Sequence, residues 1–113
     1  MEQKKEQTEG LVGKVFNLSN LVEYQEGAVV SRTVVKQNTG TVTLFSFDQG
    51  QGLSEHTAPF DAMVCILDGE AEVIISGESN LVKAGEMIIM PAGKPHSLKA
   101  TNRFKMLLIM IRS

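Results

Sequence analysis

Residues Gly85–Ala100 read GEMIIMPAGKPHSLKA. The apolar run Met87–Met90 lies between Gly85-Glu86 and Pro91-Ala92-Gly93, and a short run bounded by turn residues on both sides reads as a strand. Pro91 to Pro95 form a stiff turn, because each proline ring fixes its own backbone angle. That turn delivers His96 to the mouth of a second run, Ser97–Lys99. Working outward, the same alternation fills the chain. Upstream lie Ala28–Val35, Thr41–Phe47, Ala62–Leu67, Ala71–Ile75 and Asn80–Lys83, and downstream lies Phe104–Ile111. Two briefer runs, Val15–Leu18 and Leu21–Tyr24, precede them. Thr33-Val34-Val35 and Val73-Ile74-Ile75 are β-branched clusters that suit a pleated surface better than a helix. Asp68-Gly69 is a hairpin dipeptide and predicts a two-residue turn between its flanking runs. No amphipathic helix or internal repeat interrupts this pattern. The expectation is an all-β, antiparallel barrel or sandwich of about ten short strands.

Composition narrows the function classes. A chain of 113 residues is one domain, with a formal charge of −2, so it is not a basic protein built to grip nucleic acid. A hydrophobic fraction of 42 % is normal for a globular chain. The single cysteine, Cys65, excludes an intrachain disulfide. No apolar run approaches the length of a membrane helix, and MEQKKEQTEG lacks the apolar core of a secretory signal. The expected location is the cytoplasm. Met1 to Gly10 can bury almost nothing and read as a flexible tail, with residues 11–113 as the folded domain.

The chain has two histidines, His56 and His96, forty residues apart and both beside turn-to-strand junctions. An antiparallel barrel can aim two such side chains at one cavity. With them the sequence resembles the cupins, small barrels of jelly-roll or double-stranded β-helix type with two signature stretches. Gly85, Pro91, Gly93 and His96 match four of the five positions of the second stretch; Ala100 replaces its asparagine. Four such identities arise by chance about five times per million start positions, so the match is specific. The first stretch keeps Gly50, His56 and Gly69 at the right spacing, but Ala58 and Ala62 stand where the family has a second histidine and a glutamate. The resemblance covers roughly Thr41 to Ile111.

In metal-binding members, three imidazoles and a carboxylate hold a transition ion. Here His56 and His96 remain as possible metal ligands, an incomplete set, since catalytic sites normally use three protein ligands. Asp61 and Glu55 are the nearest acids. Both have the wrong strand parity unless a bulge re-aims them. No tightly bound cofactor is expected, at most a weakly held divalent transition metal. Instead, Ala58 and Ala62 widen an apolar cavity, with His56, Ala62, Val64 and Ile66 facing His96, Leu98 and Ala100. The expected pocket is His56, His96, Ala58, Ala62, Val64 and Leu98. The competing expectation is a collapsed, packed core. The methionines read as core filler, with a minority lining the pocket. Cys65 has the wrong parity for it, and Lys94 and Lys99 could attract an anion or simply be solvated.

These residues support a cupin that binds a small, partly apolar molecule, with the histidines as polar contacts. The alternative is a metal-dependent enzyme of dioxygenase or isomerase type, using His56 and His96 with a displaced acid or waters. A sensory or structural module is a third possibility. No membrane partner is expected. Phe104–Ile111 is apolar on both faces, with Leu107, Ile109 and Ile111 on the side away from Leu108. That predicts a homodimer, unless the chain's own first strands fold back over this face.

Overall fold

A computed structural model describes residues 10–112; the tail expected over Met1–Gly10 therefore lies outside it except for Gly10. After a short 3-10 turn, Leu18–Leu21, eight strands follow. They are β1 (Val29–Gln37), β2 (Gly40–Phe47), β3 (Gly52–His56) and β4 (Ala62–Ile75). The others are β5 (Glu78–Lys83), β6 (Met87–Met90), β7 (His96–Lys99) and β8 (Phe104–Ile111). All pairings are antiparallel, in the order β1-β2-β8-β4-β7-β3, with β5 and β6 also on β4. The all-β barrel expected from the run pattern is present.

Strand β4 is the hinge of this architecture. Its first half pairs with β6 and β8, its second half with β5 and β7. The hairpin expected at Asp68-Gly69 is therefore absent, and the two flanking runs are one strand. A two-residue hairpin of the favoured type needs positive φ at both turn residues. Here Gly69 has φ +73° and Asp68 does not share that conformation. A single left-handed residue makes a bulge, which bends a strand and shifts its pairing. The β4–β8 register does shift between Ile66 and Asp68. Side-chain parity changes with it: Ala62, Val64 and Ile66 are buried before the bulge, Ala71 and Val73 after it. The true tight turn is Ser76-Gly77, with φ of +50° and +82°, between the paired Ile75 and Glu78.

Between the sheets lies the core of Phe47, Val64, Ile66, Val73, Phe104 and Met106, all at most 1 % exposed. Phe47 and Phe104 stack with ring centroids 4.5 Å apart. Phe104 and Met106, grouped on one side by the alternation, bury the inward side of β8.

Two short apolar runs do not form strands. Val15–Leu18 is exposed and leads into the 3-10 turn, and Leu21–Tyr24 leaves that turn against the outer side of β2. Residues 19–24 are tied there by polar contacts. Ser46 Oγ donates to the Glu23 carbonyl (2.7 Å), Lys105 Nζ to the Ser19 carbonyl (2.7 Å) and Arg32 Nη1 to the Leu21 carbonyl (3.1 Å). Tyr24 Oη donates to Asp68 (2.6 Å), and Arg103 and Lys105 lie over its ring. Burial, then the Asp68 hydrogen bond and charge, push the Tyr24 phenol well above its usual range, against Arg103. This strap covers one end of the outer face. The other end remains open: Ile89 and Ile111 are 52 % and 69 % exposed.

Candidate functional site

The two histidines meet because β3 and β7 are neighbours. Leu53 pairs with Leu98, and His56 with His96. An unbroken register would set Glu55 opposite His96 and turn His56 outward. One extra residue in β3, between Leu53 and His56, corrects this. The imidazoles then lie edge to face, with centroids 4.4 Å apart and Nε2 atoms 3.2 Å apart. His56 is exposed at the barrel mouth, while His96 is buried beneath it.

The hydrogen bonds assign the tautomers. His56 Nδ1–H donates to the Ser54 carbonyl at 2.8 Å, leaving its Nε2 as an acceptor in the neutral ring. His96 Nε2–H donates to it, and His96 Nδ1 is then a buried atom without a partner. Burial, and next the neighbouring His56, hold the His96 imidazole below its ordinary range. The Lys94 backbone acts in the opposite direction, although no group meets hydrogen-bond geometry at Nδ1.

This depression has a consequence for stability. The unfolded chain takes up a proton at His96 near the ordinary value of about 6.5, whereas the native protein resists it. The His96 contribution is full above that value and is lost as pH falls through it towards the lower native value. The denaturant midpoint is expected to fall between about pH 7 and pH 5, where few carboxylates titrate. His96→Gln should flatten this slope; equal slopes in both proteins would contradict the assignment.

Below the pair lies a cavity of about 40 Å³. Ala58 and Ala62 form the wall where the family has metal ligands, and Leu53, Leu98 and Leu108 form the sides. Met90, Met106 and Met110 complete the lining. Five of the six expected pocket residues thus surround it. Val64 does not: it is fully buried in the core next to it. The outcome lies between the roomy pocket and the packed core, because leucine and methionine side chains fill the space that the alanines vacate. The contribution of Leu53 was not legible, since GLSEH has one apolar residue and no strand pattern. Met106 and Met110 share the inward side of β8 with Leu108, and that parity was a usable signal.

Neither nearby acid joins the site. Asp61 Oδ1 accepts the Ala92 N–H at 2.8 Å, and the Gly93 N–H donates to the Ala58 carbonyl at 2.8 Å. These two bonds fasten the loop before β4 to the Pro91–Gly93 turn, and Asp61 serves that latch. Glu55 is exposed on β3. Among the described residues no three His, Cys, Asp or Glu side chains group as metal ligands. A divalent ion of the kind held by three imidazoles and a carboxylate does not fit this donor set. Lys94 and Lys99 are exposed, and Cys65 is half-buried with a free thiol. No described helix is long and apolar enough to cross a membrane.

A barrel whose central strand is shared by both sheets, with a histidine pair at its mouth, defines the cupin class. The cupin-domain family model matches residues 43–112, and the chain belongs to that family. Its fold is shared by a conserved protein of unknown function from Streptococcus pyogenes, with 42 % identity and a TM-score of 0.85 over 89 % of each chain. A cupin 2 conserved barrel domain protein from Leptotrichia buccalis is 45 % identical, with a TM-score of 0.84. That match covers 86 % of this chain and 47 % of the other. A cupin superfamily protein from Desulfitobacterium hafniense is 29 % identical, with a TM-score of 0.85, over 89 % of this chain and 93 % of that one. No curated protein matches the sequence.

Proposed function

We propose that this cupin binds a ligand of a few heavy atoms in the barrel cavity, gripped by the Nε2 atoms of His56 and His96. The observation that carries this reading is the 3.2 Å approach of those two nitrogens on the wall of an otherwise apolar cavity. Drug-sized ligands occupy pockets of roughly 300–1,000 Å³, whereas one water needs about 10–15 Å³ of such space. A cavity of about 40 Å³ therefore selects an ion or a very small molecule over a larger apolar one. The enzyme alternative uses a displaced acid or waters beside the histidines; the hydrogen bond from Ala92 holds Asp61 away from that role, which leaves waters as its only route through these residues.

The test is a long-range proton–nitrogen spectrum of the imidazoles, with each ring assigned through His56→Gln and His96→Gln. Zinc, silver(I), formate and azide serve as small probes. At least one should shift both rings together, with binding weakened tenfold or more in each variant. Rings that respond independently, or to no probe, would sink the reading.

We further propose that the open outer face pairs two copies of the chain. Pro59, Phe60, Met63, Ile89, Ile109 and Ile111 border a groove there of about 510 Å³, which the chain's own strap does not reach. Closed two-fold pairing is the commonest way for soluble proteins to cover such a face. Sedimentation equilibrium at micromolar concentration is expected to give twice the 12.3 kDa chain mass. The double variant Ile109→Lys, Ile111→Lys is expected to give soluble monomer. A monomeric wild-type protein throughout the concentration range would refute the pairing.

A further inference from the structure

We infer that the ligand of this cavity is a soft monovalent metal ion, copper(I), held by the His56–His96 pair and methionine sulfur. The inference rests on the proposed role of the pair and adds the identity of what it holds.

The donor set carries the argument. The two positions that would bring a third imidazole and a carboxylate are Ala58 and Ala62, so the donors that suit harder divalent ions are missing. Three of the chain's six methionines, Met90, Met106 and Met110, line the same small cavity. Thioether sulfur is a weak ligand for magnesium, calcium or manganese and a good one for copper(I), for which soft ligands select. A thioether is also uncharged, so two neutral imidazoles and neutral sulfurs suit a monovalent ion better than a divalent one, whose charge would be left uncompensated in an apolar enclosure.

Geometry and size agree. Imidazole nitrogens bind a first-row ion such as zinc at about 2.0–2.1 Å. Two nitrogens 3.2 Å apart can share one ion at an angle of about 100–106°. A cavity of about 40 Å³ suits an ion or a group of a few atoms and excludes anything larger. His56 already presents its Nε2 lone pair, because Nδ1–H is committed to Ser54. In the present arrangement His96 Nδ1 is an unpartnered buried atom. An ion on its Nε2 would place the proton on Nδ1, next to the Lys94 backbone.

The experiment uses the full chain, labelled with ¹³C at the methionine methyl groups, under anaerobic conditions with ascorbate. Copper(I) affinity is measured by competition with bicinchoninate, zinc affinity by competition with a chromophoric chelator, and silver(I) serves as a redox-inert probe for the spectra. Copper(I) is expected to bind one per chain, at least a thousandfold more tightly than zinc. Silver(I) is expected to shift both imidazoles and at least one methyl of Met90, Met106 and Met110, while Met63 and Met87 stay still. The triple variant Met90→Leu, Met106→Leu, Met110→Leu keeps the apolar volume and should fold. It should lose at least a hundredfold in copper(I) affinity and keep its weak zinc binding. Zinc binding as tight as copper(I), motionless cavity methyls, or unchanged copper(I) affinity in the triple variant would each overturn the inference. If zinc or formate shifts both imidazoles while silver(I) leaves the methyls unmoved, the histidine-pair reading stands and the copper(I) assignment falls. If no probe moves either ring, both fall together.

Discussion

Replacing Gly69 by alanine is expected to destabilise the protein by roughly 2–6 kcal/mol. About 1–3 kcal/mol of this comes from holding a substituted residue in a sparsely populated backbone conformation. Another ~1–3 kcal/mol comes from forcing packed groups apart. Gly69 sits at φ +73°, and a Cβ there would be driven into the carbonyl oxygen of Arg103, with the Phe104 Cα 3.1 Å away. Both neighbours are backbone atoms, one at the start of β8 and one just before it, so no side chain can rotate aside. Relief requires β4 to part from β8 at Gly69–Phe104, where β4 passes from one sheet to the other. Gly77→Ala is the control. Its φ is +82°, but nothing lies within 4 Å of the added carbon, so only the left-handed conformation is penalised, by about 1–2 kcal/mol. Urea unfolding of the two variants should show the larger loss at Gly69. Equal losses would mean that close strand approach does not hold the corner.

Phe104→Ala is expected to remove about 3–5 kcal/mol, the usual range for truncating a large buried aromatic. Phe104 is completely buried, and its ring lies 4.5 Å from that of Phe47, at an angle of 14°. Its removal takes away both the transfer term and the stacked contact, and the rigid sheet pair limits collapse into the void. Domains of this size have total stabilities of about 5–15 kcal/mol, so this is a large share of the total and the urea midpoint should fall well below that of the wild type. Ile89→Ala, at a half-exposed position, should change stability by less than ~1 kcal/mol in the Ile109→Lys, Ile111→Lys background. A Phe104→Ala protein with a wild-type midpoint would show that the core repacks around Phe47.

The bulges separate what could be read in advance from what could not. In β8, the two-residue period grouped Phe104, Met106, Leu108 and Met110 on one side and Leu107, Ile109 and Ile111 on the other, but both sides are apolar, and only the structure showed that Phe104 and Met106 are the buried ones. Asp68-Gly69 carried a real local preference for positive φ, yet a hairpin and a bulge share that preference, and pairing with β8 on one side of the glycine and β7 on the other chose the bulge. In the site, the spacing of Gly50, His56, Gly85, Pro91, Gly93 and His96 was enough to place the histidines in one family pattern. Residue spacing cannot convey pocket size, which depends on how Leu53, Leu98, Leu108 and three methionines fill the space beside Ala58 and Ala62.

The sequence by itself determined the class of fold and the spacing that brings His56 and His96 together. These follow from periodicity, turn chemistry and short motifs, which are local properties of the chain. Only the tertiary structure decided that β4 serves both sheets, that one extra residue in β3 turns His56 inward, and that Asp61 secures a turn instead of joining the site. It also decided that residues 18–24 cover one end of the outer face and leave the other open. Each of these is a competition between partners distant in sequence. A bulge, a latch or a strap forms where the long-range pairing satisfies more backbone groups and buries more apolar surface than the local alternative, and that balance exists only once the strands have met.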